Sequence, residues 1–468
     1  MARNRKSLGG KAAKSRGKSA QRESFDSATT TTNDKTTSTA RSGRKSTEKD
    51  HLPDPSNDSN ELTEKQVPTA TMTKPARHVE PFQFVPGIPV NCLSGVGSHP
   101  SLFVLGGGGG PSRSGVANKI QLNYIDDETH TVTTLATYNI PAGQDAPTSI
   151  SVHPTLDVIA SGINFDKDTV EAGRNQSART FRFDITQGEI EPVKTVAVLE
   201  TKTLNDYQKV TVFSPKGDRL LTGGSEGSIH LLEYPSLTNV FPVLKSESGE
   251  IMGADFSASG GQCAVATGKE VSVFSTRTGK GVQHIECPVY KNKHACRFRT
   301  CLYGRGLTKD YFYTVVNTLD RDRSLVAKWS TRTWEMETFR TVSRFPIIAA
   351  AMHPDGQYLA VATTENTVYI LDSHSFRTLA KSTGLHSFAI TSLAFTSDGS
   401  YLISGSIDNT CGIVPIPDTF PESQMKKLIF ILLAIIIVLV SVVYHLHNSP
   451  EPLIAQKMRE AQKPNVFE

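Results

Sequence analysis

The sequence predicts an all-β fold in which a ring of about seven four-stranded sheets lies between a disordered tail and one membrane-crossing helix. Two observations predict the ring: short apolar runs alternate with Gly, Pro, Asp and Ser from residue 81 onward, and a unit recurs along them. A third, an uninterrupted apolar segment from residue 428, predicts the helix. Hydrophobic residues make up 37% of the 468-residue chain, with 35 Gly and 25 Pro. This composition is typical of a turn-rich β protein rather than of a helical enzyme.

The recurring unit is a small polar turn, three or four apolar residues, a Gly/Ser pair, a loop and a second β-rich run. Four copies are plain, at 213–224, 256–260, 352–362 and 395–406, and weaker ones lie at 98–104, 152–162 and 311–329. A unit of roughly 40 to 50 residues with about four strands is typical of a WD-repeat β-propeller, although the Trp-Asp dipeptide is absent. We therefore predict a seven-bladed propeller over residues 81–420. We expect the segment 79–85 to pair with the last blade near residues 410–416 and close the ring.

Residues 1–80 are rich in Ser, Thr, Lys, Arg, Asn and Asp and lack apolar periodicity, so we expect a disordered tail. Its first part, residues 1–22, is basic and contains no acidic residue. This stretch could touch anionic lipid or act as a nuclear signal, although a solvated tail without a dedicated partner is the preferred interpretation. The net charge is only +4 and its excess lies at one end of the chain, so no nucleic-acid partner is expected.

The apolar segment runs from residue 428 to 443 with Ser441 as its one polar residue, and it extends to a short transmembrane helix at 428–446. Lys426 and Lys427 precede it, and the positive-inside rule therefore predicts a cytosolic propeller and a short lumenal tail at 447–468. A short span suits the thin bilayer of the endoplasmic reticulum. Occupied glycosylation sequons at Asn57 or Asn175 would overturn this orientation.

A run of five glycines at 106–110 lies between two strand-like segments. A phosphate-binding P-loop is excluded, because Val116 and Ala117 stand where that motif needs Lys and Ser/Thr. A dinucleotide-binding loop is excluded too, because no frame places a glycine at the last position of its motif and no crossover helix follows. The chain itself is therefore not expected to bind a nucleotide.

Comparison between the repeats explains the glycine run better than either nucleotide-binding motif does. Aligning Gly106-Gly107 with Gly223-Gly224, and Ile120 with Ile229, gives the first repeat about eight extra residues between two strands, and the second repeat has an insertion at the same place, 163–180. Long loops on neighbouring blades predict a partner-binding rim. The first insertion has no carboxylate, so a cation there would be weakly hydrated and monovalent. Its ligands would be backbone carbonyls of Gly106, Gly107, Gly108, Gly109 and Gly110, with the Asn118 amide as an optional addition.

The glycine run, followed by Gly115-Val116-Ala117-Asn118-Lys119 on the first blade of a degenerate propeller with one C-terminal span, resembles the Sec-twelve/PREB family of guanine-nucleotide exchange factors. The resemblance covers residues 81–446. It implies activation of the Sar-type small GTPase that starts assembly of coat protein complex II, for transport from the endoplasmic reticulum to the Golgi. It also implies a potassium ion in the loop and GTPase contacts from Gly115, Val116, Ala117, Asn118 and Lys119, chiefly Asn118. The tail at 1–80 departs from the family's pattern.

No covalent catalyst is expected. The histidines lie mostly in repeat turns, as do His153 and His353, and the six cysteines are scattered without a C-x-x-C pair. An exchange factor needs no such group, because it acts by binding the nucleotide-free GTPase better than the loaded one. The alternative interpretation, a membrane-anchored WD-repeat scaffold without exchange activity, stays open at this point.

Overall fold

The computed structural model describes residues 80–111, 115–291, 293–420, 424–448 and 453–462. The predicted disordered tail therefore lies outside the described residues, apart from Glu80. In chain order the elements are β1 (Phe82–Phe84), β2 (Val90–Gly95), β3 (Leu102–Gly107), β4 (Lys119–Asp126), β5 (Thr131–Asn139), β6 (Ser149–Val152), β7 (Val158–Gly162), α1 (Lys167–Glu171), β8 (Ala178–Asp184), β9 (Glu189–Val196), β10 (Gln208–Phe213), β11 (Arg219–Gly224), β12 (Ser228–Glu233), β13 (Thr238–Asn239), β14 (Leu244–Lys245), β15 (Gly253–Phe256), β16 (Gln262–Ala266), β17 (Glu270–Ser275), β18 (Gly281–Glu286), β19 (Cys296–Tyr303), a 3-10 turn (Gly306–Thr308), β20 (Tyr311–Thr318), β21 (Ser324–Ser330), β22 (Met336–Ser343), β23 (Ile347–Met352), β24 (Tyr358–Thr363), β25 (Val368–Asp372), β26 (Thr378–Ser382), β27 (Ile390–Phe395), β28 (Tyr401–Ser406), β29 (Cys411–Pro415), α2 (Gln424–Asn448) and α3 (Leu453–Ala461).

The strands form seven antiparallel sheets, which confirms the predicted seven-bladed propeller. Blades 1 to 6 are β2–β5, β6–β9, β10–β14, β15–β18, β19–β22 and β23–β26, and blade 7 is β27–β29 with β1. The second strand of a blade packs against neighbours on both faces of its sheet, as in β3, β24 and β28, which are buried along their whole length. This explains why those segments are continuous apolar or small-residue runs rather than alternating ones.

The N-terminal strand closes the ring. In β1, Phe82 lies opposite Ile413 and Phe84 opposite Cys411 of β29, as the sequence predicted. The Gln83 side chain adds a hydrogen bond from Nε2 to the carbonyl of Leu385, at 2.6 Å. Residues from the two ends of the propeller therefore share one sheet, so that opening the ring would break backbone hydrogen bonds.

The ring has two faces that carry different connections. Because the strands of each blade are antiparallel, the loops from second to third strand and the connectors between blades lie on the same face, here named the upper face. The loops from first to second and from third to fourth strand lie on the lower face. The chain enters β1 and leaves β29 at the lower face.

Two helices follow the propeller in sequence, α2 and α3. The large apolar side chains described in α2 are exposed, Phe430 and Val443 among them. Judged over the residues that the structure describes, no helix has the length and apolar character needed to cross a membrane.

Candidate partner-binding loop

Two long loops rise from the upper face of neighbouring blades. Eleven residues, 108–118, separate β3 from β4 in blade 1, whereas three residues, 225–227, separate the equivalent strands of blade 3. We name 108–118 the glycine loop, and the segment 163–177 between β7 and β8 the second insertion. Gly106 pairs with Ile120 and Gly223 with Ile229, which confirms the alignment of the repeats on which the insertion was predicted.

Glycines stand at the base of the glycine loop because neighbouring atoms leave no room for a side chain. A Cβ on Gly106 would lie 2.7 Å from Cβ of Pro147. On Gly107 it would overlap the Pro89 carbonyl oxygen, and on Gly108, whose φ is +140°, it would overlap Oδ1 of Asn118. Close approach of neighbouring atoms therefore requires glycine at 106, 107 and 108, and the positive φ of Gly108 adds a conformational reason.

The Asn118 side chain closes the glycine loop from inside. It is only 8% exposed, and its Oδ1 accepts a hydrogen bond from Gly110 N at 3.0 Å. Its Nδ2 donates to the carbonyls of Gly110 at 2.8 Å and Gln144 at 2.9 Å. Every polar atom of this amide is therefore used within the propeller. The contact of Asn118 with a GTPase stays a prediction.

The neighbouring predicted contact residues have different environments. Gly115, Val116 and Ala117 are exposed, and Lys119, the first residue of β4, is half-buried. The stretch 115–117 is therefore the part of the predicted contact segment that a partner can reach without moving the loop.

Some of the glycines predicted to bind a cation have other partners. Gly106 and Gly107 belong to β3, and Gly107 pairs with Val90 on one side and Lys119 on the other. The Gly106 carbonyl also accepts from the buried Cys92 thiol at 3.6 Å. The Gly110 carbonyl accepts a hydrogen bond from Asn118 Nδ2. A potassium ion here stays a prediction.

Gln144, in the connector 140–148 between blades 1 and 2, joins the glycine loop to β8, and the residue after it contacts the second insertion. Its carbonyl accepts from Asn118, and its Oε1 accepts from Nη1 of Arg179 at 2.7 Å. The next residue, Asp145, donates its N–H to the carbonyl of Asn164 at 3.0 Å. Sequence reasoning missed Gln144 and Arg179, because these contacts join residues 26 and 35 positions apart and no motif marks them.

Arg179 is an unusual buried cation beside this connector. It is 6% exposed, and its Cζ lies 4.0 Å from the ring centre of Phe165. Nε and Nη2 have no hydrogen-bond partner among the described residues. Burial lowers the pKa of this guanidinium to about 10, so it remains charged at neutral pH. Burial also raises the pKa of the Asp145 carboxyl, although a hydrogen bond from Ala146 N opposes the shift.

The second insertion is built differently, from its own residues. Asp166 caps the short helix α1, with Oδ1 accepting from Thr169 N at 3.1 Å, and its hydrogen bonds to Thr169 lower the pKa of its carboxyl. Asn175 donates from Nδ2 to Oδ1 of Asn164 at 2.9 Å. Asn164 in turn donates to the carbonyl of Asp206 at 2.8 Å, in the connector to blade 3. Hydrogen bonds therefore run across the upper face from blade 1 to blade 3.

The ring and its seven sheets define a β-propeller of the WD-repeat class. The family model "WD domain, G-beta repeat" matches residues 378–413, which lie largely in blade 7. This blade has a buried polar chain in which the His386 ring bonds Thr410 Oγ1 at 2.8 Å and Ser404 Oγ at 2.7 Å.

More particular similarities lie among curated proteins. The chain is 24% identical to "SEC12-like protein 2" of Arabidopsis thaliana over 312 residues, 65% of this chain and 73% of that protein. It is 27% identical to "Guanine nucleotide-exchange factor SEC12" of Candida glabrata over 339 residues, 69% and 70% of the two chains. "SEC12-like protein 1" of Arabidopsis thaliana is 23% identical over 304 residues, 64% of this chain and 71% of that protein. The chain is thus a distant homologue of SEC12-like proteins, as the resemblance of its glycine loop predicted.

Proposed function

We propose that this chain is a guanine-nucleotide exchange factor for a Sar-type small GTPase, acting at the endoplasmic reticulum to begin vesicle budding. The observation that carries the proposal is the glycine loop, which is braced from inside by Asn118 and exposes residues 115–117 at the rim. The similarity to a guanine nucleotide-exchange factor of Candida glabrata supports it.

The mechanism is one of differential binding. A partner shifts an equilibrium between two states only by as much as its affinities for them differ, so an exchange factor must prefer the nucleotide-free GTPase. A loop whose conformation is fixed before binding loses little conformational entropy when it docks. More of the free energy of its contacts with the GTPase can then oppose nucleotide binding. The residues of this chain bind and position, and no proton or covalent bond has to be transferred.

The membrane anchor predicted from the sequence at 428–446 is also part of the proposal. Residues 428–443 are apolar except for Ser441, and the large apolar side chains described between 430 and 444 are exposed. Lys426 and Lys427 precede this segment, which favours a cytosolic propeller and a lumenal tail at 447–468. Residues 1–22 would add contacts with anionic lipid. A potassium ion bound near 108–110 would help to order the loop, and replacing potassium by sodium in the exchange assay tests this.

The test uses the full chain in lipid vesicles and a Sar-type GTPase loaded with fluorescent GDP. The wild type should accelerate GDP release, and Asn118→Ala should reduce the acceleration about tenfold or more, because three hydrogen bonds worth about 1 kcal/mol each are lost. Asn164→Ala removes side-chain hydrogen bonds in the second insertion and serves as the matched control, with exchange expected within about twofold of wild type.

Two results would contradict the proposal. If the wild-type chain neither accelerates GDP release nor binds the GTPase, both the exchange activity and the proposed partner are wrong. Tight binding of the GTPase with an unchanged rate of GDP release would instead identify a membrane-anchored scaffold.

A further inference from the structure

Exposed apolar side chains are unevenly distributed between the faces of the propeller. Among the described residues, eight large apolar side chains are exposed in loops and connectors of the upper face, but only two, Leu156 and Leu307, in those of the lower face. Apolar surface gathered on one side of a protein is typical of an interaction site, whereas scattered residues are not. The upper face, which carries the glycine loop, is therefore the face adapted to a partner.

Three of these side chains lie on blade 7 and form what we name the blade 7 apolar rim: Val85, Phe388 and Ile407. They are 66%, 63% and 47% exposed. Phe388 and Ile407 come from two segments that are locked together, since Asp408 Oδ2 accepts from Phe388 N at 3.3 Å and Ile407 N donates to the Ala389 carbonyl at 3.3 Å. These two hydrogen bonds fix the segments that carry Phe388 and Ile407 relative to each other.

The connector 85–89 links the blade 7 apolar rim to the glycine loop. Val85 begins the connector 85–89, and Gly108 of the glycine loop donates its N–H to the Pro89 carbonyl at 3.0 Å. At the other side, Thr391 Oγ1 of blade 7 donates to the carbonyl of Val90 at 2.6 Å. One short stretch of chain therefore contacts both the loop and the blade that carries the rim.

The glycine loop alone is too small to hold a folded partner. Among the described residues of the loop, four are exposed, Pro111 and 115–117, whereas a stable interface buries about 800 Å² on each partner, roughly 20 to 30 residues. The blade 7 apolar rim adds exposed apolar surface on the same face.

We propose that the blade 7 apolar rim is a second docking surface for the small GTPase, adjoining the glycine loop and binding an apolar patch on that partner. The inference rests on the proposed function for the identity of the partner. The two surfaces divide the work: the rim supplies affinity that is equal for both nucleotide states, and the loop supplies the preference for the nucleotide-free state.

The experiment compares a rim variant, Phe388→Ser with Ile407→Ser, with a lower-face control, Leu156→Ser with Leu307→Ser. Both remove two exposed apolar side chains, and thermal unfolding of each variant verifies folding. With the full chain in vesicles, the rim variant should raise the half-saturating GTPase concentration about tenfold and keep the maximal rate within about twofold, because uniform binding energy is lost. The control should leave both values unchanged.

Equal half-saturating concentrations for the rim and lower-face variants would overturn the inference. A rim variant that abolishes self-association in sedimentation but leaves the exchange parameters unchanged would overturn it too, because the rim would then bind a second copy of the chain. If the wild type binds the GTPase without accelerating release, and the rim variant binds about tenfold more weakly in calorimetry, the proposed function fails while the docking surface stands.

Discussion

The glycine loop and the second insertion occupy equivalent places on neighbouring blades, yet they are held by opposite means. The second insertion has its own capped helix and an internal pair of asparagines. The glycine loop contains no helix among its described residues, and its shape depends on Asn118, on the Gln144 carbonyl and on glycines pressed against other backbone. The base of the glycine loop is thus fixed while residues 115–117 stay exposed, whereas the second insertion exposes residues 171–174 beside its own short helix.

The largest expected effect comes from filling the space under the glycine loop. In Gly108→Ala the new methyl group would overlap Asn118 Oδ1, so the loop must move. We expect exchange to fall about hundredfold, as for a misplaced catalytic group, and the free energy of unfolding to fall by about 1–3 kcal/mol. GDP release and urea unfolding measure the two effects.

Gly249→Ala is the matched control for this substitution. Gly249 also has a positive φ, +88°, but its Cβ would meet no atom within 4 Å. Only the conformational cost of about 1–2 kcal/mol applies there, and exchange should be unaffected. Loss of exchange in both variants would mean that stability, rather than the position of the glycine loop, limits the activity.

A smaller effect separates the two roles of Asn118. If this side chain braces the loop, Asn118→Ala should accelerate amide hydrogen exchange at residues 108–118 about tenfold or more in the free chain, because its bonds to Gly110 and Gln144 are lost. Asn164→Ala should accelerate amide hydrogen exchange only within residues 163–177. Unchanged protection of the glycine loop in the free Asn118 variant, together with lost GDP release, would instead assign Asn118 to direct GTPase contact.

Sequence patterns sufficed for the architecture and not for the bracing of the loop. Repeats such as 395–406 predicted blades because each unit carries its own strand and turn signals, and the equivalence of Gly106 and Gly223 predicted the insertion. The Asn118 amide points inward because it bonds the carbonyl of Gln144, which lies in another loop. No sequence pattern around either residue predicts this contact. Side-chain contacts between loops are set by tertiary packing, which local patterns do not encode.

The smallest expected effect tests whether Arg179 of β8, the strand after the second insertion, positions the glycine loop. Arg179 reaches Gln144 with one nitrogen, while two others lack partners among the described residues, so its buried charge is incompletely compensated. Arg179→Met keeps an apolar contact for Phe165 and removes that charge, and the free energy of unfolding should stay within about 1 kcal/mol of wild type or rise. GDP release should nevertheless fall about threefold, because Gln144 loses the partner that fixes it beneath Asn118.

Arg182→Met is the control: it removes an exposed arginine of the same strand, paired with Glu191 at 3.1 Å, and should change neither the free energy of unfolding nor the rate of GDP release. Normal GDP release from a strongly destabilised Arg179→Met chain would assign Arg179 to blade packing alone, and Gln144 would then hold the glycine loop without it.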